Sequence, residues 1–298
     1  MNLNLYFENQ AFEYRNISKD KSLPDLIFDL NNVYEEAIHF GDSIGKSDKI
    51  YDVEIFIDIK IYEVLYCGKA NDKLTTEEIK LLTLLIDHTP TISEGEYNIK
   101  LIQINSCNCV FPDAFLGICQ LVKKQLFVSS MKELLSVRRF YMSKIVDESN
   151  FLELAPMCFP NIYFHPSIGK TLKHLSAPFS QFSNEIIHHL SCLNDEFPIV
   201  FQSYHTENMD KVLEIFSSQE QIAASMQGNP KDAQKKLTYT FATKDGSQID
   251  IVCEPHTKLE KSGHKGDGKY RFDRIYFHQG MENIENGKIL VAHIGKHL

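Results

Sequence analysis

Five of the twelve histidines fall in the last 43 residues, at His256, His264, His278, His293 and His297. Glu254, Lys258, Arg274, Tyr276 and Lys296 are interleaved with them. Side chains of these types suit cleavage of a phosphodiester in RNA. The ribose 2′-hydroxyl is already the nucleophile there, so a protein has to add only a base, an acid and a cation. Histidine or glutamate exchanges protons near neutral pH, and arginine or lysine holds the charge that builds on the phosphorane. Acid–base transfer contributes about 10²–10⁴-fold, and charge stabilisation about as much. Neither calls for a metal or an organic cofactor.

These groups act together only if the backbone brings them to one surface, and period-two patterning says how. Residues 237–243, 248–256, 270–278 and 288–294 read as successive strands. Their connections hold Asp245-Gly246, Asp267-Gly268 and Asn286-Gly287, which suit hairpin turns. On the second strand Ile249, Ile251 and Cys253 alternate with Asp250, Val252, Glu254 and His256. On the third, Asp273, Ile275 and Phe277 alternate with Phe272, Arg274, Tyr276 and His278. With Ile249, Ile251, Ile275 and Phe277 in the core, the opposite face gathers Glu254, His256, Arg274, Tyr276 and His278 as catalytic candidates. Lys258 joins them just past a strand end, and Lys296 and His297 form a charged segment able to reach back to the site. His293 shares parity with Ile289 and Val291, which equally predicts burial. Taken singly, histidines at strand ends more often cap or pack; only the set as a whole favours chemistry. Zinc on His256, His278 and His293 is an alternative without a diagnostic spacing. The run Gly266-Asp267-Gly268-Lys269 lies between strands without phosphate-loop spacing and reads as a turn.

Those strands need a scaffold. A chain of 298 residues with 43% apolar and 24% charged content has the material for two globular domains. Earlier elements expected from pattern are a helix over 23–37 and a strand alternating through Val53, Ile55, Ile57, Ile59 and Ile61. Thr75-Thr76-Glu77-Glu78 forms a capping box that opens a helix. A strand over 98–104, a helix from Pro112-Asp113 to 127 and another over 131–145 follow, with Lys123-Lys124 and Arg138-Arg139 on solvated helix faces. The segment 147–160, with Pro156 and Pro160, is the expected boundary. Beyond it come a strand over 161–165, helices over 167–175 and 181–193, and a variable stretch, 196–234. Fold class is thus α+β: an N-terminal mixed α/β domain, 1–150, and a C-terminal strand, two helices and four-strand antiparallel meander, 161–298. Of the net charge of −9, −7 belongs to residues 1–150, so bulk positive charge does not drive nucleic-acid binding. The seven cysteines are scattered and unpaired in spacing, as expected for thiols in a reducing cytoplasm. No stretch reads as a membrane span or secretory signal.

Ile162-Tyr163-Phe164-His165-Pro166, two helices, and Tyr270-Arg271-Phe272-Asp273-Arg274-Ile275-Tyr276 in a closing meander resemble the RelE/ParE superfamily of bacterial toxins. The resemblance covers at most residues 161–298. It implies metal-independent cleavage of free RNA or ribosome-associated mRNA, and a role as a growth-arrest toxin or phage-defence effector. Carried across, the site residues are Lys258, Arg271, Arg274, Tyr276, His278, Lys296 and His297, although alternation puts Arg271 on the face away from Arg274. An antitoxin or regulatory protein becomes a possible partner. Residues 1–150 resemble no family and read first as an ordinary accessory or oligomerisation domain; their charge of −7 offers the alternative of a regulatory domain that shields the basic site in cis. Two other functions compete: a non-catalytic protein-binding module using the same sheet face, as in the ParE branch, and a metal-dependent hydrolase or nuclease.

Overall fold

The computed structural model describes residues 1–17, 20–107, 109, 111–119, 126–227, 230–259 and 273–298, with backbone alone at 230–233. The chain forms two compact units, Met1–Tyr141 and Met142–Leu298.

In the first unit, β1 (Asn4–Phe7) is followed by α1 (Leu23–His39), β2 (Ser43–Gly45), β3 (Glu54–Phe56), β4 (Ile59–Lys60) and α2 (Ile61–Tyr66). Next come α3 (Thr76–Asp87), α4 (Glu94–Asn105), β5 (Asp113–Leu116), β6 (Phe127–Val128) and α5 (Met131–Ile145), which crosses into the second unit. The sheet is all parallel in the order β2-β1-β5-β6. Ser22 caps α1, and Thr75 with Glu78 forms the capping box of α3. Three expectations fail. The alternating run 53–61 is a hairpin, not one strand: Asp58 at φ 57° turns the chain and Ile57 is exposed. Residues 98–104 lie in a helix because Ser93 caps it and Tyr97, Leu101 and Ile104 face inward at helical spacing, leaving Ile99 and Ile102 outside. The segment opened by Asp113 is a strand buried throughout, where apolar residues on both faces hide any period.

Open parallel sheets bind ligands beyond the strand ends where their order reverses, here between β1 and β5. That position is filled. The 3-10 turn Asn9–Phe12 crosses it, a Cβ at Gly117 would collide with Ala11, and Cys119 Sγ donates to the Ala11 carbonyl. Arg138, expected on a solvated face, is fully buried and paired with Asp42 at 2.6 Å. Lys123 and Lys124 lie outside the described residues.

The second unit holds the expected boundary segment as an ordered helix, α6 (Phe151–Cys158), with Phe151, Leu154, Ala155 and Cys158 buried. It continues through β7 (Ile162–Phe164), α7 (Ile168–Thr171), α8 (Phe179–Asp195), α9 (Phe197–Ser203), α10 (Met209–Glu220), β8 (Ala223–Ser225) and α11 (Pro230–Leu237). The remaining strands are β9 (Thr238–Ala242), β10 (Gln248–Val252), β11 (His256–Lys258), β12 (Asp273–His278) and β13 (Ile289–Lys296). The variable stretch is therefore mostly helical, and it adds a strand. The order β7-β13-β12-β11-β8 makes a five-stranded sheet with β7 parallel to β13, while β9 and β10 pair only with each other. The single four-strand meander is not formed. Pro255 explains the break: it has no N–H to donate and holds Glu254 extended, so the expected strand 248–256 leaves one sheet at Val252 and enters another at His256.

The five-stranded sheet is covered on both faces. On one, Phe277 packs edge-on against Phe197 at 5.0 Å, and Thr257 meets buried His189 at 2.9 Å. On the other lies the β9–β10 hairpin. Its Phe241 and Ile251 pack with Leu290 and Ala292, and Leu237 and Val252 pack against Tyr276. The edge strand β8 is closed by α10, where Ser217 Oγ accepts from Ala224 N–H and donates to the Ala224 carbonyl. Among the described residues, no helix is long and apolar enough to cross a membrane.

Candidate functional site

The register of β8, β11, β12 and β13 lays two rows across the sheet, and directly opposed residues share a face. The first row is Ser225, His256, Tyr276 and His293; the second is Ala223, Lys258, Arg274 and Gly295. His293 joins the first row because β13 bulges. Tyr276 opposes His293, but Phe277 opposes Val291, so Ala292 is extra and the parity linking His293 to Val291 is lost.

The first row is a floor. Ring centroids lie 5.0 Å apart for His256–Tyr276 and 5.7 Å for Tyr276–His293. His256 is 1% exposed, with Nδ1 3.2 Å from the Glu254 carbonyl and Nε2 3.3 Å from Ser225 Oγ. Burial, and then the neighbouring Arg274 charge, push its pKa down to about 3. Burial likewise brings His293 to about 4, with Nε2 2.9 Å from the Lys296 carbonyl. Both rings are neutral at physiological pH, and Tyr276 is held above the ordinary phenol value by the same burial.

The second row carries the charge. Lys258 and Arg274 stand directly opposed between the small residues Ala223 and Gly295. A Cβ at Gly295 would stand 2.7 Å from the Thr171 carbonyl oxygen. Arg274 Nη1 donates to Gln227 Oε1 at 2.9 Å, and its Nε is buried with no hydrogen-bond partner. His297 is exposed at the rim, with Nε2 3.1 Å from Gln227 Nε2. Partial burial comes first in lowering its pKa, followed by the charges of Arg274, Lys236 and Lys258. Cationic donors thus surround a neutral imidazole, and one guanidinium N–H lacks an acceptor.

Neither a family model, nor a curated protein, nor a solved structure matches this chain. What the site does has to follow from its geometry.

Of the residues singled out by sequence, the structure brings together His256, Lys258, Arg274, Tyr276 and His297. Glu254 lies in the crossover between β10 and β11, where its carbonyl meets His256. His278 is four residues along β12 from Arg274, roughly 13 Å at strand rise; its Nδ1 accepts from Gly280 N–H, and burial lowers its pKa. Lys296 opposes Asp273, whose carboxylate accepts from Ser176 N–H on the other side of the sheet, so by register it faces away from Arg274. Arg271 and His264, and the turn 266–269, lie outside the described residues. Among the described residues no three His, Cys, Asp or Glu side chains converge as a metal site, and His256, His278 and His293 have ring nitrogens engaged elsewhere. Sequence reasoning missed Gln227 and Lys236. Both fall in or beside the stretch read as variable, and only the basic pair Lys235-Lys236 gave a signal there.

Proposed function

We propose that the second unit is a metal-independent RNA endonuclease. The observation that carries this reading is the Lys258–Arg274 pair, with its unpartnered Arg274 Nε, beside the neutral imidazole of His297. His297 Nε2 gives up its Gln227 hydrogen bond to accept the proton of a ribose 2′-hydroxyl, and the oxygen attacks the adjacent phosphorus. Arg274 and Lys258 hold the phosphorane charge. The 5′-oxygen leaves with a proton from the Lys258 ammonium, giving a 2′,3′-cyclic phosphate and a 5′-hydroxyl. The fixed cations fill the electrostatic role that a divalent ion fills in other nucleases. His256 and Tyr276, expected as catalysts, act here as the packed floor under Arg274.

The RelE/ParE likeness stays with this reading as a proposal. It is supported by β7, then α7 and α8, then basic strands β11 and β12 in one sheet; α9, α10 and β8 are additions to that pattern. Free or ribosome-associated mRNA would be the substrate, growth arrest the consequence, and an antitoxin-like protein a partner. The burial of His256 and Tyr276 favours one second reading, a non-catalytic module that binds a partner through the same cations.

Full-length protein incubated with single-stranded RNA, duplex RNA and DNA, with and without EDTA, separates these. Cleavage of RNA that persists in EDTA, leaves cyclic phosphate ends and vanishes in Arg274→Ala supports the proposal. Loss of cleavage in EDTA turns the reading to a metal site. If neither free RNA nor ribosome-bound mRNA is cut, the binding module stands in its place.

A further inference from the structure

We propose that Gln227 is the positioning residue of this site, its carboxamide clamping Arg274 and His297 so that the Nε–Nη2 edge of the guanidinium is left without a protein acceptor, for one phosphate group to engage. The inference rests on the RNA-cleavage reading for the identity of the substrate and adds how that substrate is gripped.

Gln227 stands two residues beyond β8, whose outer edge is tied to α10 by both Ser217 hydrogen bonds. Its amide is bifunctional. Oε1 accepts from Arg274 Nη1 at 2.9 Å and stands 3.4 Å from the Tyr276 hydroxyl, while Nε2 meets His297 Nε2 at 3.1 Å. An amide nitrogen only donates, so His297 Nε2 accepts there and the ring carries its proton on Nδ1. One side chain thereby fixes a cation and the resting tautomer of the base, and yields the Nε2 lone pair to the 2′-hydroxyl when RNA binds.

A guanidinium binds an oxyanion through two parallel N–H groups, end-on through Nη1 and Nη2 or side-on through Nε and Nη2. Gln227 occupies Nη1 and removes the end-on option. The side-on edge keeps the Nε that has no acceptor. Lys258 stands opposite on β11, and the row ends in the small residues Ala223 and Gly295. A phosphodiester brings two non-bridging oxygens and one negative charge to that edge. The charges that act on His297 are Arg274 from β12, Lys236 from α11 and Lys258 from β11.

Gln227→Glu keeps the shape and replaces the donor with an acceptor; Gln227→Leu removes both hydrogen bonds. In the full chain, His297 titration is followed by NMR, assigned through His297→Asn, alongside inorganic phosphate binding and the pH profile of RNA cleavage. Gln227→Glu should raise the His297 midpoint by about one pH unit, because a carboxylate favours the imidazolium. It should weaken phosphate about tenfold by engaging the guanidinium itself, and the acid limb of cleavage should move with His297. Gln227→Leu should weaken phosphate similarly, with the spectrum otherwise unchanged. An unaltered His297 midpoint and phosphate affinity in both folded variants overturns the assignment. If they respond but the wild type cleaves no RNA, the assignment stands and the RNase reading falls; robust cleavage with both variants insensitive gives the reverse.

Discussion

A buried guanidinium N–H with no acceptor is a standing cost that a bound oxyanion removes, and Arg274 is therefore where substitution should be most informative. Lysine at this position keeps the charge but cannot offer a planar fork. On the proposed RNase reading, Arg274→Lys should reduce single-turnover RNA cleavage by about 10²–10³-fold, the scale of one lost transition-state donor, while thermal melting stays close to wild type. The histidines of the floor carry a different consequence. His256 and His293 have folded pKa values near 3 and 4, below the unfolded value of about 6.5. Above pH 6.5 both states are neutral there and stability is flat. As pH falls below 6.5 the unfolded chain gains protons the folded chain refuses, so stability drops until the folded values are reached. Between pH 7 and 5 each should cost about 2 kcal/mol, read by urea melts; His256→Gln should remove about half of that slope. Sequence periodicity found Arg274 and Tyr276 on one face because β12 is a regular strand. It could not show that Tyr276 and His256 are buried, since what covers them is a hairpin that the same periodicity assigns to their own sheet.

Elements were legible where local chemistry and tertiary packing agree. The caps at Ser22 and Thr75 and the amphipathic stripes of α1, α3 and α8 left little choice. They were misread where apolar residues serve more than one period. Ile99 and Ile102 imitate a strand, yet both lie on the outer side of α4, so Ile102→Glu should change the melting temperature by less than about 2 °C, on the scale of an exposed substitution. The closure of β8 gives the opposite expectation. Ser217→Ala leaves the Ala224 N–H and carbonyl without their partner, and the loss should be about 1–2 kcal/mol, together with new self-association detectable by light scattering.

At the scale of the molecule, composition foretold two globular bodies but placed the division by proline content. Pro156 instead sits inside α6, early enough in that short helix to be tolerated, and the apolar face around it belongs to the second core. A fragment of residues 142–298 should therefore melt cooperatively. One that begins at residue 155 discards Phe151 and Leu154, whose burial is worth about 1.5–3 kcal/mol each. It should be correspondingly less stable in urea, and calorimetry of the two fragments decides the point. The net charge of −9 is no obstacle to an anion site, because the few cations that matter are neighbours across strands and scattered along the sequence.

The bulge at Ala292 acts as a phase shifter for everything that follows it. Before it, even-numbered residues of β13 look toward the hairpin; after it, odd-numbered ones do, which is how His293 comes under Tyr276 and His297 arrives at the rim. Were that alanine paired regularly instead of bulged, the first half of the strand would stay as it is and the second half would exchange its two faces. Ile294 would then point at the cations and His297 at the helices. The composition of the chain would be untouched, and His297 would have left the cationic side of the sheet.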